Sequence, residues 1–211
     1  MKIRAVMLAF LAAGLALSMS GCGESEETTI TIVEPQNRVV PPPPEDYATR
    51  PNQVAVIETD FGEIVFELLD EIAPKTVKSF VWLANEQHFY DGLTFHRAEK
   101  DAVIQGGDPM GTGLGGPGYT IADEPNNLHN GPGAVGMATK DEPNSGGSQF
   151  YIMLAHWDHL DGHFCVFGNV IKGLDVARKI SRTETFPVYA RPVIPVYMHK
   201  VRVVDRDSLD L

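Results

Sequence analysis

Two cysteines in 211 residues are too few for a disulfide framework. Basic residues are also scarce: 17 Lys and Arg stand against 28 Asp and Glu, a formal net charge of −11, and no stretch gathers them into a stripe. Nucleic acid is therefore not an expected partner. After the N-terminal segment, no run approaches the ~18–20 apolar residues of a membrane span. Also missing are the Gly-Lys-Ser/Thr of a phosphate loop, a helical His-Glu-x-x-His and a Gly-x-Ser-x-Gly elbow. What remains is a 43% apolar chain, enough for one closed core in one domain of ordinary size plus extras.

At the start of the chain, Lys2 and Arg4 precede an apolar run over residues 5–17, and Ser18-Met19-Ser20-Gly21-Cys22 follows. A positive region, a short apolar region and small residues before a cleavage point make residues 1–21 a secretory signal. Small residues directly before Cys22 resemble a bacterial lipobox, although Met19 stands where that motif usually has Leu. The resemblance implies cleavage before Cys22, diacylation of its thiol, and an extracytoplasmic protein held to a bacterial membrane by lipid. An ordinary signal peptide that happens to precede a cysteine is the plainer alternative. A spanning anchor fits less well, because residues 5–17 would cover only roughly 20 Å of helix.

Residues 22–52 read as a flexible tether. Glu24, Glu26, Glu27, Glu34, Glu45 and Asp46 outnumber Arg38 and Arg50, and Pro41 to Pro44 form a stiff centre. The β-branched run at 28–33 could form a strand, but disorder is the expectation for this segment. The folded domain then occupies 53–206, with a short tail at 207–211.

Within the domain, 54–60 and 62–68 are β-rich runs joined by a hairpin signal at Phe61-Gly62. Pro74 opens an apolar pattern of helical spacing that predicts a helix over 74–87, in which Phe80, Trp82 and Leu83 are core or barrel-capping residues. Further strands are expected at 135–139, 149–153, 164–168 and 196–204, and a second amphipathic helix at 173–180. Many short strands with two helices suggest a closed antiparallel barrel whose helices plug its ends. Cys165, in apolar surroundings, reads as a buried free thiol.

The stretch at 95–108, FHRAEKDAVIQGGD, holds the candidate chemistry. Arg97 and Gln105 lie an even number of residues apart and can share a sheet face if the segment between them is extended. A permanently charged five-donor guanidinium beside a neutral amide suits the gripping of a peptide carbonyl, and nothing nearby resembles a nucleophile. With 73–97, 144–152 and 159–170, this stretch resembles the cyclophilin-type peptidyl-prolyl isomerases, and the resemblance covers roughly residues 54–204. It implies an eight-stranded barrel capped by two helices, proline-containing polypeptides as substrates, no cofactor, and a monomer. Arg97 and Gln105 take the catalytic positions, and Gln149 and Thr139 hold the substrate backbone. The carried-over proline pocket comprises Ala102, Val103, Tyr151, Leu160 and Phe164, with His159 at its rim. Ala102 replaces the usual phenylalanine, Val103 a frequent methionine, Tyr151 a phenylalanine and Phe164 a histidine. His159 stands where many eukaryotic members have tryptophan. The loss of a ring at Ala102 motivates an alternative: a proline-peptide-binding or chaperone module with little turnover.

Three other features invite different chemistry. Half of residues 106–119 are glycine, but the phosphate-loop context is absent, and tight turns walling a groove are the better reading. His156, His159 and His163 have an i, i+3, i+7 spacing that could gather imidazoles, yet Leu160-Asp161-Gly162 reads as a turn, so no metal is expected. Ser148 lies near a histidine motif without a partner acid and is expected to brace the Gln149 strand.

Overall fold

The computed structural model describes residues 38–209. The expected signal segment, Cys22 and the run at 28–33 lie outside the described residues. Nine strands form one antiparallel sheet among these residues: β1 (Gln53–Thr59), β2 (Gly62–Leu68), β3 (Leu93–Thr94), β4 (Arg97–Glu99), β5 (Val103–Gly106), β6 (Ala134–Met137), β7 (Phe150–Met153), β8 (Val166–Lys172) and β9 (Tyr197–Asp205). Two α-helices accompany them, α1 (Pro74–Val81) and α2 (Leu174–Ser181). The expected helix at 74–87 is therefore regular only to Val81 and finishes in a wider π-type turn, Trp82–Glu86.

The expected count of eight strands is short by one, because the segment at 93–99 breaks into two. Spatially the order is β3-β9-β1-β2-β8-β6-β7-β5-β4. Laid flat at ~4.8 Å per strand, β3 and β4 would stand about 38 Å apart. Only Phe95 and His96 separate them in sequence, a link that reaches at most about 11 Å. The sheet must curl until its two edges meet, and the chain itself crosses the seam. Phe95 N–H donates to Val196 O (3.0 Å) and Ala98 N–H to Ala190 O (2.8 Å) beside that seam.

Alternation along the wall divides the apolar residues into two sets. Ala98, Ile104, Val135, Met137, Phe150 and Ile152 point into the barrel and join the main core. Val103, Ala134, Tyr151 and Met153 point the other way and join Val166 in a separate cluster. Phe80 of α1 plugs the interior, with its ring centroid 5.0–5.8 Å from those of Tyr90, Phe167, Phe66 and Phe150. No residue of α1's own first turn is acidic; instead Glu124 accepts from Lys75 N–H (3.0 Å) and Thr76 N–H (2.8 Å), capping the helix from a distant loop.

The C-terminal half of the expected tether lies against the domain. Arg38 Nη1 donates to Phe89 O (2.7 Å) and Asp91 O (2.9 Å), and Val40 N–H to Pro117 O (2.9 Å). Trp82, expected as a core or barrel-capping residue, is only partly buried and donates to Pro41 O (2.9 Å), with its ring packed edge-on against Tyr47 at 5.1 Å. Proline supplies no N–H, but its carbonyl remains an acceptor, which is how a segment poor in apolar residues docks.

Candidate active site

Arg97 and Gln105 face each other as direct partners across the β4–β5 hairpin, and Gln105 faces Tyr151 across β5–β7. Cross-strand partners emerge on one face, so register rather than a continuous strand brings Arg97, Gln105 and Tyr151 together. The turn at 100–102 interrupts the extended segment that parity alone presupposed. Gln149, two residues before Tyr151, falls on the same face.

These side chains form a hydrogen-bonded row. Arg97 Nη1 donates to Gln105 Oε1 (3.2 Å), Gln105 Nε2 to Gln149 Oε1 (3.0 Å), and Gln149 Nε2 to Gly113 O and Gly115 O (2.9 Å each). At the other end, Arg97 Nε and Nη2 both donate to Glu99 Oε1, at 2.9 and 2.5 Å. Glu99 escaped the sequence reading, yet its position two residues after Arg97 on a strand was the available signal. The acid holds the guanidinium in place and offsets part of its charge; both side chains are 36% exposed.

The row opens onto a cavity of about 1050 Å³ bounded by His96, Thr112, Leu114 and the loop at 186–191. Leu114, Phe186, Val188 and Tyr189 on this rim are solvent-exposed apolar side chains. Tyr189 and Ala190 hold left-handed backbone (φ 69° and 47°), and the Ala98–Ala190 hydrogen bond pins the loop to β4. Thr139 and Gln149 line a neighbouring smaller cavity, of about 140 Å³, that shares Gln105, Gly113 and Leu114 with the first.

His96 is buried, and burial pushes its imidazole down from the usual 6.5 to about 4. It is therefore neutral near pH 7, and its Nδ1 has no hydrogen-bond partner among the described residues. The glycine-rich loop is organised around Asp108. The amides of Met110, Thr112 and Gly113 donate to its carboxylate at 2.7, 2.8 and 2.6 Å. Burial alone would raise that carboxyl; the amide bonds outweigh it and hold the group below its usual range. A Cβ on Gly115 would collide with Asp108, and one on Gly107 (φ +85°) with the Ser148 carbonyl. The loop amides that could cradle a phosphate are already committed to this carboxylate. Ser148 Oγ donates to Gly107 O (2.6 Å), the bracing role expected of it.

Of the expected pocket residues, Val103, Tyr151, Leu160 and Phe164 share the outward apolar cluster. The Phe164 ring meets Tyr151 edge-on at 6.3 Å. Tyr151 donates its hydroxyl to Asn130 Oδ1 (2.6 Å), which gives its polar tip a buried partner. His159 sits on a single 3₁₀ turn, Asp158–Leu160, stacked on Trp157 at 5.7 Å. Ala102 is not part of the cluster: it ends the hairpin turn, and its carbonyl accepts from Leu154 and Ala155 N–H at 2.8 and 3.2 Å. Cys165 is buried beside Thr76 (3.4 Å), and burial pushes its thiol up to about 11, which fits an inert core thiol.

A curled antiparallel wall thus carries an Arg–Gln–Gln row beside an apolar cluster on its outer face, an arrangement of fixed donors and apolar surface on a β-barrel. The family profile described as cyclophilin type peptidyl-prolyl cis-trans isomerase/CLD matches residues 54–203. A peptidyl-prolyl cis-trans isomerase-like 1 from Neurospora crassa is 42% identical over 159 residues, 73% of this chain and 96% of that protein. Peptidyl-prolyl cis-trans isomerase B of Bacillus subtilis is 51% identical over 127 residues, covering 59% of this chain and 87% of its own length. A Cryptosporidium parvum cyclophilin type isomerase, crystallised in the presence of the dipeptide Ala-Pro, superimposes with a TM-score of 0.67 at 30% identity, over 72% of this chain and 98% of that one. The chain belongs to the cyclophilin-type peptidyl-prolyl cis-trans isomerases.

Proposed function

We propose that the protein accelerates rotation about X–Pro peptide bonds in extracytoplasmic polypeptides, as a monomer held to a bacterial membrane by lipid on Cys22. The observation that carries the catalytic reading is the polar row Arg97–Gln105–Gln149 on the outer face of the wall. An X–Pro amide exchanges in tens to hundreds of seconds because resonance sets a barrier of ~18–20 kcal/mol. Lowering it requires neither a covalent intermediate nor a shuttled proton. The proline ring must be held while the preceding carbonyl swings and the prolyl nitrogen becomes pyramidal. Arg97 serves as a fixed donor toward the proline carbonyl and the nitrogen lone pair, preorganised by Glu99 and Gln105. Gln149 and Thr139 align the substrate backbone, and Val103, Tyr151, Leu160 and Phe164 receive the ring. The exposed apolar rim at 114 and 186–189 favours substrates with apolar residues flanking the proline.

Cis–trans exchange of a short X-Pro peptide, followed by NMR with the full-length chain and with Arg97→Ala, tests this. Fast exchange that collapses in the variant is expected; peptide binding without exchange in either protein overturns it. That second outcome would select the alternative, a proline-peptide-binding module, which Ala102 favours by leaving one side of the pocket without a ring. Anchoring is tested by labelling cells with a radioactive fatty acid. Label on the wild type that disappears in Cys22→Ser is expected, and an unlabelled wild-type chain overturns the lipid anchor.

A further inference from the structure

The wall's outer face continues past the apolar cluster to a group of side chains that the isomerase reaction does not use. Asp161 Oδ2 lies 2.7 Å from His129 Nδ1 and 3.1 Å from His156 Nε2. One potential ligand atom from each of the three residues lies within 4.8 Å of the other two. The spacing of His156, His159 and His163 suggested a different trio. The fold replaces two of its members with His129, from the loop before β6, and Asp161, from the turn after β7.

We propose that His129, His156 and Asp161 form a binding site for a single borderline divalent transition-metal ion, of which Zn²⁺ is the model. Two imidazoles and one carboxylate are a donor set such an ion accepts, with a water or an external ligand completing four-coordination. Bonds of ~2.0–2.1 Å in a tetrahedron place neighbouring donor atoms ~3.3 Å apart. The Asp161 oxygen already lies near that separation from both nitrogens, so side-chain adjustments of a few tenths of an ångström suffice there.

The surroundings orient the donors. Asp161's second oxygen accepts from Asn130 N–H (2.6 Å) and Asn130 Nδ2 (3.3 Å), which points Oδ2 toward the histidines. The other ring nitrogen of His156, Nδ1, lies 3.4 Å from the exposed Asp158 carboxylate, which leaves Nε2 as the nitrogen facing Asp161.

The site is tied to the proline pocket. Asn130, fully buried, links Asp161 to the Tyr151 hydroxyl, and the 156–164 loop that carries His156 and Asp161 also carries Leu160 and Phe164. A bound ion would clamp this loop to the His129 segment. For the same reason Asp161 is a poor residue to mutate as a test, since its loss also frees Asn130.

The deciding experiment uses untagged full-length protein and competition for Zn²⁺ against a chromogenic chelator, with Co²⁺ absorption as a spectroscopic check. One equivalent of Zn²⁺ is expected on the wild type. His129→Ala and His156→Ala should each weaken it about tenfold or more, given that even loss of an outer-shell partner typically costs 10–100-fold. Isomerase activity of both variants in chelator should match the wild type, which establishes that they fold. Absence of stoichiometric Zn²⁺ on the wild type overturns the proposal. So does a double variant whose affinity falls less than about threefold, because the ion would then sit elsewhere.

Discussion

The polar row and the apolar cluster occupy one face of one wall, but they are fixed by different means. Arg97, Gln105 and Tyr151 sit on paired strands, where register alone places them opposite one another. Leu160, Phe164 and His159 come from a loop with a single 3₁₀ turn, whose position depends on Asp161, Asn130 and Trp157. Sheet geometry tolerates little adjustment, because a slip by one residue would turn Arg97 into the barrel. The loop can accept different side chains without disturbing the ladder. Arg97, Gln105 and Gln149 keep the residue types that the family resemblance implies, while the departures fall on the apolar side: His159 and Phe164 on the loop, Ala102 in the hairpin turn, and Val103 and Tyr151 on strands.

If the polar row lowers the barrier and the apolar cluster holds the proline, mutations should separate cleanly. Arg97→Ala should cost ~2–4 kcal/mol of transition-state stabilisation, roughly 30- to 1000-fold in kcat/KM, with peptide affinity little changed. A loss of affinity of the same size would place Arg97 in ground-state binding and erase the distinction.

The next effect concerns stability. His96 has a folded pKa of about 4, below its unfolded value of 6.5. Between these values the unfolded chain binds a proton that the folded chain refuses. The stabilisation is fully present above pH 6.5 and is lost as pH falls to about 4, by ~3 kcal/mol in all. Chemical denaturation of wild type and His96→Gln across pH 4–7 isolates this contribution. The variant should show the shallower pH dependence, and parallel curves would remove His96 as the cause.

Phe164→Ala should raise KM with kcat nearly intact, by ~1–2 kcal/mol for a half-buried ring. Steady-state kinetics on an X-Pro peptide would contradict the division of labour if kcat fell instead. Ala102→Phe should act in the opposite direction, lowering KM several-fold by supplying the absent ring. No change would mean that Phe164 already fills the space.

The smallest effect belongs to Glu99. Its ion pair with Arg97 is partly solvated, so Glu99→Gln should alter kcat/KM by no more than about fivefold, upward, as the guanidinium regains its full charge for the substrate. A fall in rate would show that holding Arg97 still matters more than its charge.

The comparison also explains what could be read from the amino-acid order. Alternation and turn residues placed most strands within a few residues, and the motif around Arg97 located the polar row. Glu99 shares Arg97's face by parity, but an acid on a short strand reads equally well as a solvated residue, and only the structure shows its bonds to the guanidinium. The docking of residues 38–52 was illegible for another reason: Arg38 and the Pro41 carbonyl bind backbone and Trp82, contacts that leave no apolar periodicity. The His129–His156–Asp161 cluster draws on two segments far apart in the chain, which no local spacing can reveal. The role of Asp108 was hidden for the same reason that its loop looked like a phosphate site, since both use glycine amides to surround an anion.

The seam between β3 and β4 has a consequence for a member of a family that acts on polypeptides. An open sheet edge presents free amides and carbonyls to any extended polypeptide, and continued pairing there leads to aggregation. Here the two outermost strands are two and three residues long, lie at either end of a two-residue link, and have Phe95 and Ala98 amides already engaged. Among the described residues the barrel therefore offers an extended polypeptide little free ladder to add a strand to.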